Sequence, residues 1–221
     1  MIGPTVLFSE MTPDPSWEDR FNTWYDTDHI PVRMVLDGWH GVQRYRASDN
    51  AGDYLVVYDM SSTDVLKTPE YEVIKTDPSD ETKWMLSHVS NFTRYIGKEL
   101  GRHGDLEAAI TAPLIFTAMF NVPEKDEEEF DAWMVEDHIP LLMGCDDWLA
   151  VRRFTLPISE PETYTRLAIH YLASPDALSS PERAAARDTD FRERMTRHDW
   201  FGKGRYRGYE AFGDRVPGQA G

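Results

Sequence analysis

The sequence predicts an α+β fold written twice: two βαββαβ halves in one chain, packing sheet to sheet as a pseudo-symmetric α+β barrel. Three observations predict it. The segment FNTWYDTDHIPVRM, Phe21–Met34, returns as FDAWMVEDHIPLLM, Phe130–Met143, at an offset of 109 residues. The same offset relates Trp39 to Trp148, Arg44 to Arg153, and TVLFSEM at Thr5–Met11 to LIFTAMF at Leu114–Phe120. Such repetition at one spacing marks a duplicated unit. Finally, β-rich runs and amphipathic stretches alternate in the same order in both copies.

Taken in order, Pro4–Met11 and Pro113–Asn121 are short apolar runs and read as first strands. After Pro15, the stretch Ser16-Trp-Glu-Asp19 reads as a helix start with a capping-box variant. Trp17, Phe21, Trp24 and Tyr25 then repeat at i, i+4, i+7 and i+8, one apolar helix face. In the second copy Phe130, Trp133 and Met134 continue that face after the acidic turn Glu124–Glu129, which suits a helix N-terminus. Pro31 and Pro140 disfavour helical backbone at Ile30 and Ile139, so each helix is expected to end or kink near its histidine. Trp39–Ala47 and Trp148–Leu156 read as second strands, Tyr54–Met60 and Leu167–Ala173 as thirds. Thr68-Pro69-Glu70 and Ser180-Pro181-Glu182 start the second helices with a hydroxyl cap, Pro at N1 and an acid in the first turn. The first of these helices is interrupted at Pro78. Asn91–Gly97 and Arg205–Phe212 close the halves as fourth strands.

This order gives a split-βαβ, ferredoxin-like half with both helices on one sheet face. The bare face would be costly to leave wet, at roughly 25 cal/mol per Å² of apolar surface, so the two sheets are expected to cover each other. The division is a first repeat at 1–97, a linker at Lys98–Ala112 and a second repeat at 113–221.

Composition narrows the function. The 221 residues carry 23 basic and 39 acidic side chains, a net charge of −16, which excludes phosphate-backbone binding and docking on anionic membranes. Cys145 is the one cysteine, so neither an intramolecular disulfide nor a Cys-rich zinc site can form. A cytoplasmic protein is expected, since MIGPTVLFSEMTPDPS lacks the basic start and apolar core of a signal peptide. No apolar run approaches the ~20 residues of a membrane span. Aromatic residues make up 12% of the chain, enough to build a core and also to wall a pocket for a flat organic ligand.

The segment Trp24-Tyr-x-x-Asp28-His29-Ile-Pro31, with Gly38-Trp39 and Arg44-Tyr45 following, resembles the EthD-like family of the dimeric α+β barrel superfamily. The second copy carries Asp137-His138-Ile-Pro140 and Arg152-Arg153-Phe154, so the resemblance spans about 4–97 and 113–212. Members usually hold one copy per chain and dimerise, which makes this chain similar to a fused dimer; a further homodimer stays open. The superfamily includes muconolactone-type isomerases, polyketide cyclases, cofactor-free monooxygenases, dehydratases and haem enzymes, so the resemblance does not select a reaction.

His29 and His138 lead the catalytic candidates, with Asp28 and Asp137 beside them to orient the ring, because imidazole exchanges a proton near neutral pH. The competing reading is a helix-end cap, with each histidine bonded to the last carbonyls. Tyr25 and Arg33 add polar groups near His29 that the second copy replaces with Met134 and Leu142, while His40 becomes Leu149. If one pocket is active, these residues favour the first. His170 stands on the third strand of the second copy, aligned with Val57. Arg44 and Arg153 occupy equivalent strand positions suited to hold a carboxylate or enolate if they point inward. Trp24 and Trp133 are candidate substrate contacts, though core packing is the commoner role. His40, Arg44, Arg153 and His170 complete the expected binding set. The sequence has no nucleotide-binding glycine loop, no nucleophile elbow and no strong metal spacing. The expectation is therefore an enzyme without organic cofactor or metal, haem being a minor alternative. It would perform lyase or isomerase chemistry on a small hydrophobic or aromatic oxygenated metabolite. A cofactor-free monooxygenase and a non-catalytic ligand-binding barrel are the alternatives.

Overall fold

In the computed structural model, which describes residues 2–219, the order βαββαβ occurs twice. The chain divides into two compact units. Unit 1 comprises Met1–Lys98, Pro157–Pro161 and Ala211–Gly221; unit 2 comprises Glu99–Leu156 and Glu162–Glu210.

Unit 1 begins with β1 (Thr5–Met11), every residue of which is buried. Asp14, rather than Ser16, caps the following turn: its carboxylate accepts the Ser16 N–H at 2.8 Å, and α1 (Glu18–Trp24) starts one residue later than the capping box implies. α1 leads through one π-helical turn, Tyr25–His29, into α2 (Pro31–Met34). Strands β2 (Trp39–Ala47) and β3 (Tyr54–Met60) have the predicted limits. α3 (Pro69–Thr76) and α4 (Asp80–His88) are separated at Pro78, as the sequence implies. β4 (Arg94–Gly104) then pairs with β1, which pairs with β3, which pairs with β2, all antiparallel.

β4 runs through residues expected to be a linker and ends at Gly104, where φ is +81° and a Cβ would lie 2.3 Å from the Leu149 carbonyl. α5 (Leu106–Ala109) follows. In unit 2, β5 (Leu114–Phe120) leads to α6 (Glu127–Trp133), a second π-turn at Met134–His138, and α7 (Ile139–Leu142). β6 (Trp148–Glu160) and β7 (Arg166–Leu172) form the hairpin, α8 (Pro181–Ala185) and α9 (Asp190–Thr196) the helical return, and β8 (Arg205–Pro217) the last strand; the ends of β6 and β8, from Pro157 and from Ala211, belong to unit 1. β5 pairs with both β7 and β8, and β6 with β7. The strand order β1-β3-β2-β8-β5-β7-β6-β4 closes into an eight-stranded barrel. Both copies carry an irregularity at the same point of the second strand, after Trp39 and after Trp148.

The prolines act differently from the expectation. Ile30 and Ile139 keep helical backbone, with φ/ψ of −74°/−52° and −65°/−45°. The chain meets the missing proline N–H by widening a turn: Ile30 N–H bonds the Tyr25 carbonyl at 3.0 Å, five residues back. Residues five apart sit roughly 140° around a regular helix. The wider turn instead puts Trp24 and His29 in contact, ring centres 4.3 Å apart, and Trp133 and His138 likewise at 4.5 Å.

Each unit has its own apolar core. Phe21, Trp24 and Trp39 anchor the first, and Phe130, Trp133 and Trp148 the second. Among the described residues, no helix is long and apolar enough to cross a membrane.

Candidate functional site

In both copies the acid of the Asp-His pair is spent on architecture. The Asp28 carboxylate accepts from Ser79 Oγ at 2.5 Å, and Ser79 Oγ accepts the Thr82 N–H at 3.1 Å as the N-cap of α4. Asp137 accepts from Thr189 Oγ1 at 2.7 Å, and Thr189 caps α9 through the Arg192 N–H at 3.0 Å. Each aspartate braces the π-turn against the start of the second of the two later helices in its copy, α4 or α9. Neither is hydrogen-bonded to its neighbouring histidine ring.

Unit 2 holds a cavity of about 480 Å³ walled by Phe116, Trp133, Trp148 and Phe201. Two histidines face it with opposite hydrogen-bonding polarity. His138 Nδ1 lies 3.1 Å from the Ala186 carbonyl, which can only accept, so Nδ1 carries the proton and Nε2 keeps a lone pair. His170 Nδ1 receives the Trp148 indole N–H at 3.1 Å, so its proton sits on Nε2. Burial is the first cause holding both rings neutral. His138 falls to about 4, the Ala186 bond opposing, and His170 falls to about 3 with help from His138 and Arg183. One ring is thus a proton acceptor and the other a donor.

Arg183, Arg187 and Arg192 line the same cavity, and no aspartate or glutamate does. Arg183 Nη1 donates to the Leu178 carbonyl at 2.7 Å, and Arg192 Nη1 to the Arg187 carbonyl at 3.3 Å. None of the three forms an ion pair within 4 Å. Burial followed by mutual repulsion lowers the pKa of Arg183 and Arg192. An anion would relieve that repulsion. Tyr206 stands at the exposed rim. Three arginines without an ion-pair partner thus stand over an apolar floor.

The arginines were missed at the sequence level. Arg183 and Arg187 sit at i, i+4 just after the Ser-Pro-Glu start, and that common helical face was the available signal.

Unit 1 brings His29, Tyr25 and Arg33 to one cavity of about 240 Å³. His29 is buried, its Nδ1 has no partner, and burial followed by Arg33 and Arg44 pushes its pKa well down. Tyr25 donates to Met11 Sδ at 3.5 Å, and burial raises its hydroxyl to about 12 against the pull of Arg44 and Arg33.

Arg44 lies over the Tyr25 ring at 4.4 Å and pairs with Asp26 at 3.1 Å, lining a different cavity of about 640 Å³. Trp24 gives its indole N–H to Thr82 Oγ1 at 2.9 Å. Arg153 pairs with Asp131 at 3.4 Å and borders a void of about 10 Å³. His40 is half-buried and lies away from both histidine cavities. His170 corresponds to Tyr58, not to Val57: Leu7 pairs with Tyr58 as Phe116 pairs with His170, an offset of 112. Among the described residues no His, Cys, Asp and Glu cluster of three or more could hold a metal.

No family model matches the chain, and no curated protein matches its sequence. Solved structures do. An anthrone oxidase-like protein aligns over 98% of this chain and 93% of its own, with a TM-score of 0.71 and 13% identity. A monooxygenase-named protein of Fusobacterium nucleatum aligns over 100% and 97%, at 0.63 and 11%. A chlorite dismutase-named protein aligns over 95% of each chain, at 0.58 and 11%. At these identities the likeness is one of fold, and the chain shares the ferredoxin-like α+β barrel of these proteins.

Proposed function

We propose that the unit 2 cavity is the active site of an enzyme that deprotonates a carbon acid next to a carbonyl on an oxygenated aromatic substrate. The observation that carries this reading is the opposite polarity of its two neutral histidines beside unpaired arginines. His138 Nε2 takes the C–H proton; the bond's electron pair moves into the carbonyl, making an enolate or phenolate oxygen. His170 Nε2–H and the arginines stabilise that oxygen, the kind of preorganised donor set that contributes most in a water-poor pocket. A histidine held near pKa 4 stays unprotonated at neutral pH, and the nascent anion beside it strengthens it as a base.

The carbanion is common to two fates. Reprotonation elsewhere, or loss of a leaving group, gives isomerase or lyase chemistry. Addition of dioxygen gives the oxidation for which two of the structural neighbours are named. The EthD-like resemblance accommodates both, and we extend it to this chain as a proposal.

A second reading rests on the same donor set. A lone pair on His138 Nε2, with Nδ1 tied to a carbonyl, would also suit a haem iron, and the arginines would hold its propionates. Haem would then supply the oxygen chemistry, and His138 would hold it. The purified protein's visible spectrum separates the readings: a stoichiometric Soret band supports haem. For the cofactor-free reading, anthrone incubated with the protein under argon in D₂O is expected to exchange its methylene protons faster than in buffer. Exchange at the buffer rate would sink that reading.

A further inference from the structure

We propose that unit 1 has a ligand site of its own, taking a compact aromatic monocarboxylate on Arg33, Tyr58 and His29. The inference goes beyond the proposed function and uses only residues of unit 1. Its basis is an unusual set of unspent hydrogen-bonding groups around the 240 Å³ cavity. Arg33 is 8% exposed, donates one Nη1 bond to the His29 carbonyl at 2.6 Å, and has no partner for Nε. The Tyr58 hydroxyl is fully buried with no partner, and His29 Nδ1 is likewise unpaired. A polar group left unmet in a folded core is costly, so three on residues lining one cavity are hard to explain as packing alone.

The chemistry of the wall selects the ligand. No acid lines the cavity, and Lys75 and Arg94 add positive charge at its edge. A carboxylate matches the guanidinium fork and accepts from a phenol at the same time. Leu7, Val56 and Leu86 supply the apolar part, and the volume suits a single substituted ring rather than a fused system. Tyr71 takes the wall position that Arg183 holds in the other copy, since the two helix starts match at Thr68-Pro69-Glu70 and Ser180-Pro181-Glu182. The first site is thereby smaller, about 240 Å³ against about 480 Å³, and more selective for a small acid. Trp24, packed 4.3 Å from His29, supplies an optical reporter.

The probe is 4-fluorobenzoate, followed by ¹⁹F NMR and by tryptophan fluorescence. Because the arginines of unit 2 also attract carboxylates, the titration is run on the full chain carrying Arg183→Met, Arg187→Met and Arg192→Met. One equivalent is expected to bind, with cyclohexylamine at the same concentration giving no response. Arg33→Met in that background is expected to weaken binding at least tenfold, and Tyr58→Phe by roughly fivefold. Circular dichroism melts check folding. Tyr58→Phe loses only a hydroxyl that has no partner, so it stays informative if Arg33→Met unfolds. Absence of binding at 10 mM, or unchanged affinity in Tyr58→Phe, would overturn the proposal whether or not unit 2 proves catalytic.

Discussion

The two units start from one plan and keep their cations at different depths. In unit 1 the buried cation of the histidine cavity is Arg33 on α2, beside Tyr58, with Lys75 and Arg94 at the edge. In unit 2 the matching residue is Leu142, and the cations stand on and just beyond the short helices α8 and α9, nearer the rim. The histidines differ too. His138 has its tautomer fixed by Ala186, whereas His29 Nδ1 is unpaired. What both copies retain is the aspartate brace and the ring contact made by the π-turn. Duplication has thus conserved the scaffold that holds a histidine at a cavity while the surrounding polar groups moved. The repeated Asp-His-Ile-Pro signature therefore reports the scaffold more than the chemistry.

Several experiments press on that comparison. The largest effect is expected where unit 2 buries an ion pair most completely, Arg152 with Glu99 at 3.1 Å, side chains 0% and 5% exposed. Glu99→Gln removes that compensating charge and is expected to cost about 3–5 kcal/mol by chemical denaturation. The unit 1 pair Arg215–Asp59, at 2.7 Å with Arg215 partly exposed, should lose less in Asp59→Asn.

Next is pH. Unfolded histidines take up protons below about 6.5, while His138 and His170 wait until about 4 and 3. The unfolded state therefore binds more protons across that window. Their contribution is intact above pH 6.5 and is lost as pH falls toward 3, at up to about 1.4 kcal/mol per pH unit for each group. Melting temperatures from pH 7 to 4.5 should fall, and His170→Asn should flatten the slope. A slope unchanged in that variant would mean the ring titrates normally.

A smaller effect, roughly tenfold, is expected in apparent affinity for an anionic aromatic when Arg187→Met removes an unpaired cation. Its dependence on salt should weaken at the same time. Ser79→Ala and Thr189→Ala should each cost about 1 kcal/mol and match closely, because the brace is the shared part. A loss confined to one variant would show that the copies use the aspartate differently.

The duplication and most strand positions were legible because β1, β2 and β3 and their counterparts carry alternation and buried aromatics at fixed spacing. The histidine sites were half legible. The 109-residue offset holds only through the second strand. The second hairpin is three residues longer, so β3 and β7 are related by 112. A one-residue error in a strand moves a side chain to the opposite face, so matching His170 to Val57 rather than Tyr58 assigns it the wrong face. The π-turn was not legible, since a proline predicts a helix end more readily than a widened turn. Nor did the aspartate's neighbour in sequence reveal its partner in space: Ser79 lies 51 residues from Asp28.

The central claim is that the base is His138. Deuterium exchange into anthrone, under argon and with both single variants in parallel, tests it most directly. His138→Ala is expected to lower the catalysed rate at least about 10²-fold, with the melting curve of a folded protein, while His29→Ala keeps most of it. Full exchange in His138→Ala, or loss in His29→Ala alone, would contradict the account and move the active site to unit 1.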